Sequence, residues 1–222
     1  MSKNTLISLQ NKVVSYSEVR DILFLAITEI IKLRRGQHFN ERYLHHFFSR
    51  EFQKIIPITY SSESQFHPEW ATFSLDNRCR GAKYKKTNSG YKVDDSTGSS
   101  GYIDFTIGDL KSPYFAVEFK MSESLDKQGI VYDYIKLLDK RNPFRVAVSL
   151  VVYYGLKRKS GALTIDNLNK IFESALNELR NDRFDSEREF HFFILEVNEA
   201  KSLVYERSNN SGSFQIDTEY IH

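Results

Sequence analysis

Residues 145–155 read RVAVSLVVYYG, a nearly unbroken run of β-branched, aliphatic and aromatic residues. A strand with one wet face alternates apolar and polar positions. A strand apolar at almost every position is covered on both faces. This run therefore predicts a sheet interior with helices packed on either side, the layering of an α/β fold.

The rest of the chain supplies those helices. Ser15 and Glu18 form a capping box, and Val19, Ile22, Leu23, Ala26, Ile27, Ile30 and Ile31 follow at helical spacing until Gly36. Asn40 is a good N-cap for a second helix, to about Ile55, whose apolar face carries Leu44, Phe47, Phe48, Phe52 and Ile55 before Pro57. Residues 124–140 predict a third helix, with Val131, Tyr134, Ile135 and Leu138 on one face. Residues 162–184 predict a fourth, opened by Thr164 or Asp166. Strands are expected at 71–76, 102–108 and 114–121, the last two antiparallel because a short loop joins them. Residues 189–197 and 202–207 read as a final hairpin, and the residues beyond it are weakly specified.

The segment 77–101, NRCRGAKYKKTNSGYKVDDSTGSSG, is polar and rich in Gly and Ser, and it reads as a long variable loop. The whole reads as one domain over 1–222. N-terminal helices span 15–56, a core spans 38–155, and a C-terminal helix and hairpin span 162–207.

Bulk properties exclude several classes. A net charge of +2 rules out a global polycation, so any nucleic-acid contact needs a local patch. The single cysteine, Cys79, forbids an intrachain disulfide and a cysteine-rich zinc module. No stretch is long and apolar enough for a bilayer, and MSKNTLISLQNKVVS lacks a signal-peptide pattern. These features predict a cytoplasmic protein without a membrane partner. The six histidines show no convincing ligand spacing, and the absence of a Walker-type loop speaks against ATP use.

Polar chemistry concentrates in YIDFTIGDLKSPYFAVEFKM, residues 102–121. Strict alternation puts Ile103, Phe105 and Ile107 on one face of the first strand, and Tyr102, Asp104 and Thr106 on the other. In the second strand Phe115, Val117 and Phe119 face one way, and Ala116, Glu118 and Lys120 the other. Pairing through the turn would gather Asp104, Glu118 and Lys120. Burying such groups costs several kcal/mol unless they are paired or bind an ion, as an order of magnitude. Glu199-Ala200-Lys201 and Asp109-Leu110-Lys111 have a similar acid-x-Lys spacing but fall in turns. The plainer alternative is a solvated salt-bridge cluster on an exposed sheet face.

Asp104 followed by Glu118-Phe119-Lys120 and a helix resembles the D…E-x-K signature of the PD-(D/E)xK nuclease superfamily, with Ile103 in place of the motif's proline. The resemblance implies a restriction endonuclease-like αβββαβ core. It also implies a Mg²⁺- or Mn²⁺-dependent deoxyribonuclease with DNA as partner, with a homodimer as one available assembly. Asp104, Glu118 and the Phe119 carbonyl would hold the metal, and Lys120 would act on the attacking water. Asn40, Glu41, Arg42, Leu44 and His46 resemble the N-E-R-x-L-x-H pattern of small nuclease-like bacterial proteins. That favours Glu41 as a further site carboxylate, whereas position on the apolar helix face favours Glu51. Gln128 and Tyr132 resemble the Q-x-x-x-Y motif of RecB-like nucleases, although ordinary amphipathic helices also produce this spacing.

The stretch RCRGAKYKK offers Arg78, Arg80, Lys83, Lys85 and Lys86 around Tyr84, a pattern suited to a nucleic-acid backbone or to a solvated loop. The loop is expected to border the site. The alternatives to catalysis are a non-catalytic binding module on the same fold and a protein–protein interaction subunit.

Overall fold

The computed structural model describes residues 7–9, 12–33, 40–55, 66–73, 81–122, 125–154, 163–198 and 201–221. In chain order these form β1 (Ile7–Leu9), β2 (Lys12–Val14), α1 (Tyr16–Leu33), α2 (Glu41–Ile55), β3 (Phe66–Ala71), β4 (Lys83–Thr87), β5 (Gly90–Val93), β6 (Ser99–Ser100), β7 (Tyr102–Gly108) and β8 (Pro113–Ser122). They continue with α3 (Lys127–Leu138), β9 (Val146–Tyr153), α4 (Ile165–Arg183), β10 (Glu189–Val197), β11 (Lys201–Ser208) and β12 (Gln215–Ile221).

The fold is mixed α/β. Seven strands form one sheet in the order β12-β11-β10-β9-β8-β7-β3. β8, β9 and β10 are parallel neighbours, and the flanking pairs are antiparallel. Parallel neighbours need crossovers, which α3 and α4 provide. The apolar run at 145–155 supplies β9, the central strand. Its Val146, Val148, Leu150 and Val152 join the core built on α1 and α2. Its Ala147 and Val151 join the core built on α3 and α4. The helices begin as their caps dictate. The Ser15 amide donates to the Glu18 carboxylate at 2.9 Å, and the Glu18 amide donates to Ser15 Oγ at 3.3 Å. Asn40, Asp126 and Thr164 each accept an amide of the following first turn.

Three expectations change. The first strand of the meander is β3, upstream of the 71–76 segment, and residues 74–76 lie outside the described residues. The predicted loop is folded over 83–100, where β4, β5 and β6 form a small antiparallel sheet in the order β5-β4-β6. Its anchor is Tyr84, which is buried and whose hydroxyl accepts from Asn142 Nδ2 at 2.9 Å. The weakly specified tail forms β12, an edge strand paired with β11. Among the described residues, no helix is long and apolar enough to cross a membrane.

Candidate active site

β7 and β8 pair as a regular antiparallel ladder from Ile107↔Phe115 to Phe105↔Val117, and the ladder stops there although both strands continue. Side chains take over the missing backbone bonds. The Asp104 amide donates to Glu118 Oε2 at 2.9 Å, and the Phe119 amide donates to Asp104 Oδ2 at 2.7 Å. Each carboxylate thus reaches across the opening to the other strand's backbone. β8 beyond this point is paired with β9 as far as Ser122↔Tyr153, and β7 with β3 as far as Tyr102↔Ala71.

The strict alternation expected for 102–107 fails at this opening. Phe105 and Ile107 lie in the α1/α2 core, but Ile103 lies in the α3/α4 core. The neighbouring strand changes face at the same level, because Phe66 packs in the first core and Trp70 in the second. Between them Glu69 has φ 51°, and Pro68↔Phe105 and Trp70↔Ile103 place it opposite Asp104. A left-handed residue in a strand resets which way later side chains point, and a residue with a Cβ adopts it at a cost. Asp104 therefore faces the gap between strands rather than continuing the Thr106 face.

Other elements converge there. From α2, Glu41 Oε2 accepts from the Met121 amide at 3.1 Å. His45 Nε2 stands 3.5 Å from Asp104 Oδ2, an ion-pair contact too long for a good hydrogen bond, and its ring packs on Phe105 and Phe119. From α3, Lys136 lies against Glu118 and donates to the Tyr102 carbonyl at 2.7 Å. Its Nζ is 3.1 Å from Asp133 Oδ1 and 4.9 Å above the Tyr132 ring. Lys120 is half-buried, 3.9 Å from Asp126 at the start of α3. Gly129 packs closely at that corner: a Cβ there would fall 2.9 Å from Lys120 Nζ and 2.3 Å from the Asp126 carboxylate, so both side chains would have to shift to admit one. The small sheet closes one side, with Tyr91 stacked on Tyr132 at 4.0 Å.

The electrostatics follow from this crowding. Burial, then repulsion from Asp104, raises the Glu41 carboxyl above its ordinary range, against a partial offset from the Met121 amide and Lys120. Burial also raises Asp133 well above the usual range, with the fields of Asp104 and Glu41 adding to it. Burial lowers the Lys136 ammonium to about 8, even though nearby carboxylates oppose the shift. For His45 burial works against the charged ring, but Asp104, Glu41 and Glu69 outweigh it and the net shift is upward. Lys120 is likewise raised, because Asp133, Glu41 and Asp126 exceed the effect of burial.

The sequence-derived candidates distribute as follows. Asp104, Glu118 and Glu41 come together around the opening, and Lys120 lies at its border beside Asp126. Glu51 is engaged on its own helix by Arg50 and Lys54, each within 2.8 Å. Gln128 is exposed in the first turn of α3, and only its partner Tyr132 reaches the border of the cluster. The ammonium on Glu118 belongs to Lys136, not to Lys120, whose chain leads toward α3's N-terminus instead. Tyr84 is buried and cannot stack on a base. Lys83 lies over Phe73 at 4.4 Å, while Lys85 and Lys86 are exposed. Arg78, Cys79 and Arg80 lie outside the described residues, as does Glu199 of the similar spacing at 199–201.

Sequence reasoning missed His45, Asp133, Lys136 and Tyr91. The usable signals were local. Glu41 and His45 are spaced i, i+4, and Asp133 and Lys136 sit at i, i+3 amid the apolar Ile130, Tyr134 and Leu137. The fold and cluster together define a mixed α/β protein with a buried carboxylate–lysine site at a strand opening. No family model, curated protein or solved structure matches the chain.

Proposed function

We propose that the protein is a divalent-metal-dependent nuclease that hydrolyses phosphodiester bonds in DNA. In this reading α2, β3, β7, β8, α3 and β9 form a restriction endonuclease-like αβββαβ core. One observation carries the proposal. The β7–β8 ladder opens at Asp104 and Glu118, Glu41 reaches the adjoining Met121 amide from α2, and Lys120 borders the cluster within the fields of Asp133 and Glu41.

The donors suit a hard cation in type. Asp104, Glu41 and the Phe119 carbonyl offer oxygen ligands, and Glu41 is half-buried with Asp104 as its main source of repulsion, a pairing that a bound cation would offset. Among the described residues no ready-made group of three His, Cys, Asp or Glu is arranged around one point, and Glu118 is engaged by Lys136. Asp104, Glu41 and the Phe119 carbonyl would hold the ion, with Glu118 as a further donor. When bound, Mg²⁺ or Mn²⁺ would supply Lewis-acid stabilisation of phosphate charge. The chain's residues do the rest. Lys120, held as an ammonium by the surrounding carboxylates, orients a water and stabilises negative charge developing on it, His45 positions the Asp104 carboxylate, and exposed Lys85 and Lys86 lie on the adjoining sheet where a backbone phosphate can approach.

Lys136 favours a second reading, a non-catalytic binding module, because it already neutralises Glu118 without an ion. Cleavage of plasmid and linear DNA with Mg²⁺, Mn²⁺ or chelator separates the two. The nuclease reading expects metal-dependent cleavage, lost in Asp104→Asn together with Mn²⁺ affinity. It expects Lys120→Ala to slow cleavage by about 10²–10⁴-fold, with Mn²⁺ binding by calorimetry nearly unchanged. Wild type that neither cleaves nor binds metal gives precedence to the binding module. Lys120→Ala cleaving as fast as wild type removes Lys120 from the mechanism.

A further inference from the structure

Lys136 itself takes no part in the chemistry above. The side chain is buried, and its ammonium meets oxygens from three elements: it donates to the Tyr102 carbonyl on β7 and to Glu118 on β8, and lies 3.1 Å from the Asp133 carboxylate on α3. The Tyr132 ring lies beneath it. Its aliphatic stem passes over Gly101, where a Cβ would come within 2.8 Å of Lys136 Cδ and 3.0 Å of the Tyr132 hydroxyl. The absence of a side chain at Gly101 is therefore what lets Lys136 reach Glu118. Such a site costs a buried cation and is maintained only because its oxygen partners are in place.

We propose that Lys136 is a built-in counter-cation that competes with a divalent ion for Glu118 and so sets the metal affinity of the site. The inference rests on the metal-dependent reading given above. Binding of an ion at Asp104 and Glu41 recruits Glu118 by displacing one of Lys136's three contacts. Asp133 and the Tyr102 carbonyl remain to hold the ammonium, so Lys136 shifts without losing its other partners. Without an ion, Lys136 keeps Glu118 from standing buried and unpaired beside Asp104. The protein then folds stably as the apo form, at the expense of affinity.

Two substitutions test this from opposite directions. Lys136→Met keeps the apolar stem and removes the charge. Gly101→Ala keeps the charge and pushes the stem away from Glu118. The measurements are Mn²⁺ calorimetry, and thermal melts in EDTA and in saturating Mn²⁺. Both variants should bind Mn²⁺ about tenfold more tightly than wild type, the scale of effects from groups that contact metal ligands. Both should also melt lower in EDTA and gain more from Mn²⁺ than wild type does. If Lys136→Met folds only with Mn²⁺, the competition is supported outright. If it does not fold at all, Gly101→Ala decides. Unchanged or weaker Mn²⁺ binding in the folded variants overturns the role of Lys136 while leaving wild-type metal binding and cleavage as they were. Binding by the variants but not by wild type supports the competition and removes metal-dependent catalysis from the native protein. Absence of Mn²⁺ binding in all three overturns both ideas.

Discussion

His67 and His45 show how one residue type takes opposite characters a short distance apart. His45 faces three carboxylates and is pushed toward its charged form. His67, on β3, has Nε2 3.0 Å from the Gly108 carbonyl, so the neutral ring bonds through an Nε2 proton. Burial lowers its pKa below 6.5, with the Gly108 carbonyl and Asp109 offsetting only part of the effect. A depressed folded-state pKa means that the unfolded chain binds the proton first as pH falls. The stability His67 contributes is complete above about 6.5 and is lost as pH drops through the lower, folded value. In chelator-containing buffer, NMR should show the His67 ring titrating below 6.5, and His67→Gln should flatten the stability decline in that range. An ordinary midpoint for His67 would falsify this account.

At the scale of the element, β3 holds the clearest tension between sequence and conformation. Glu69 occupies a left-handed backbone state in the strand interior, opposite Asp104, where β3 and β7 both change face. Glycine adopts that state without the Cβ clash, though it loses more freedom on folding. Glu69→Gly should therefore stabilise the protein by about 1 kcal/mol, the low end of the range for relieved backbone strain. Urea denaturation measures it, and a net loss would show that the Glu69 side chain outweighs the strain. The small sheet β4–β6 presents the converse case. KYKKT carries one apolar residue in five, and its lysines are poor strand formers, so neither propensity nor periodicity marks it. What makes it a strand is Tyr84 docking under Asn142. Asn142 itself accepts from the Ala82 amide at 3.1 Å and donates to the Lys136 carbonyl at 2.7 Å.

For the whole molecule, the two faces of the sheet are two separate cores, and the site lies where β7 stops dividing them regularly. Phe48 is central to the α1/α2 side. It is fully buried and its ring meets Phe52, Phe66, Phe105 and Phe119 at centroid distances from 5.2 to 6.4 Å. The last two rings also carry His45. Phe48→Ala should cost about 3–5 kcal/mol, the usual range for a buried phenylalanine. Leu25→Ala, at a position 49% exposed on α1, should change stability by no more than about 0.5 kcal/mol. Chemical denaturation of both variants checks the contrast. Similar losses would mean that the core is not centred on Phe48.

The sequence by itself determined whatever depends on neighbours within a few residues. Helix starts at Ser15, Asn40 and Thr164 follow from side chains that cap nearby amides. The two-sided burial of Val146–Tyr153 follows from an apolar run in a short strand. The acid-x-Lys of Glu118 and Lys120 could be told from the similar spacings at 109–111 and 199–201 because it alone lay inside an apolar run. Tertiary structure decided which charges meet. Lys136 is closer to Glu118 than Lys120 is, because α3 crosses over β8 and Gly101 leaves room for the stem. His45 rather than His46 faces Asp104, because α2 packs Leu44 and Phe48 inward and turns His46 outward. Asp104 leaves the face that alternation assigned to it because β3 reverses at Glu69. Periodicity records the path of one chain segment. Charge pairing is set by the distance between segments, and here that distance arises only once the sheet and both helical layers have assembled.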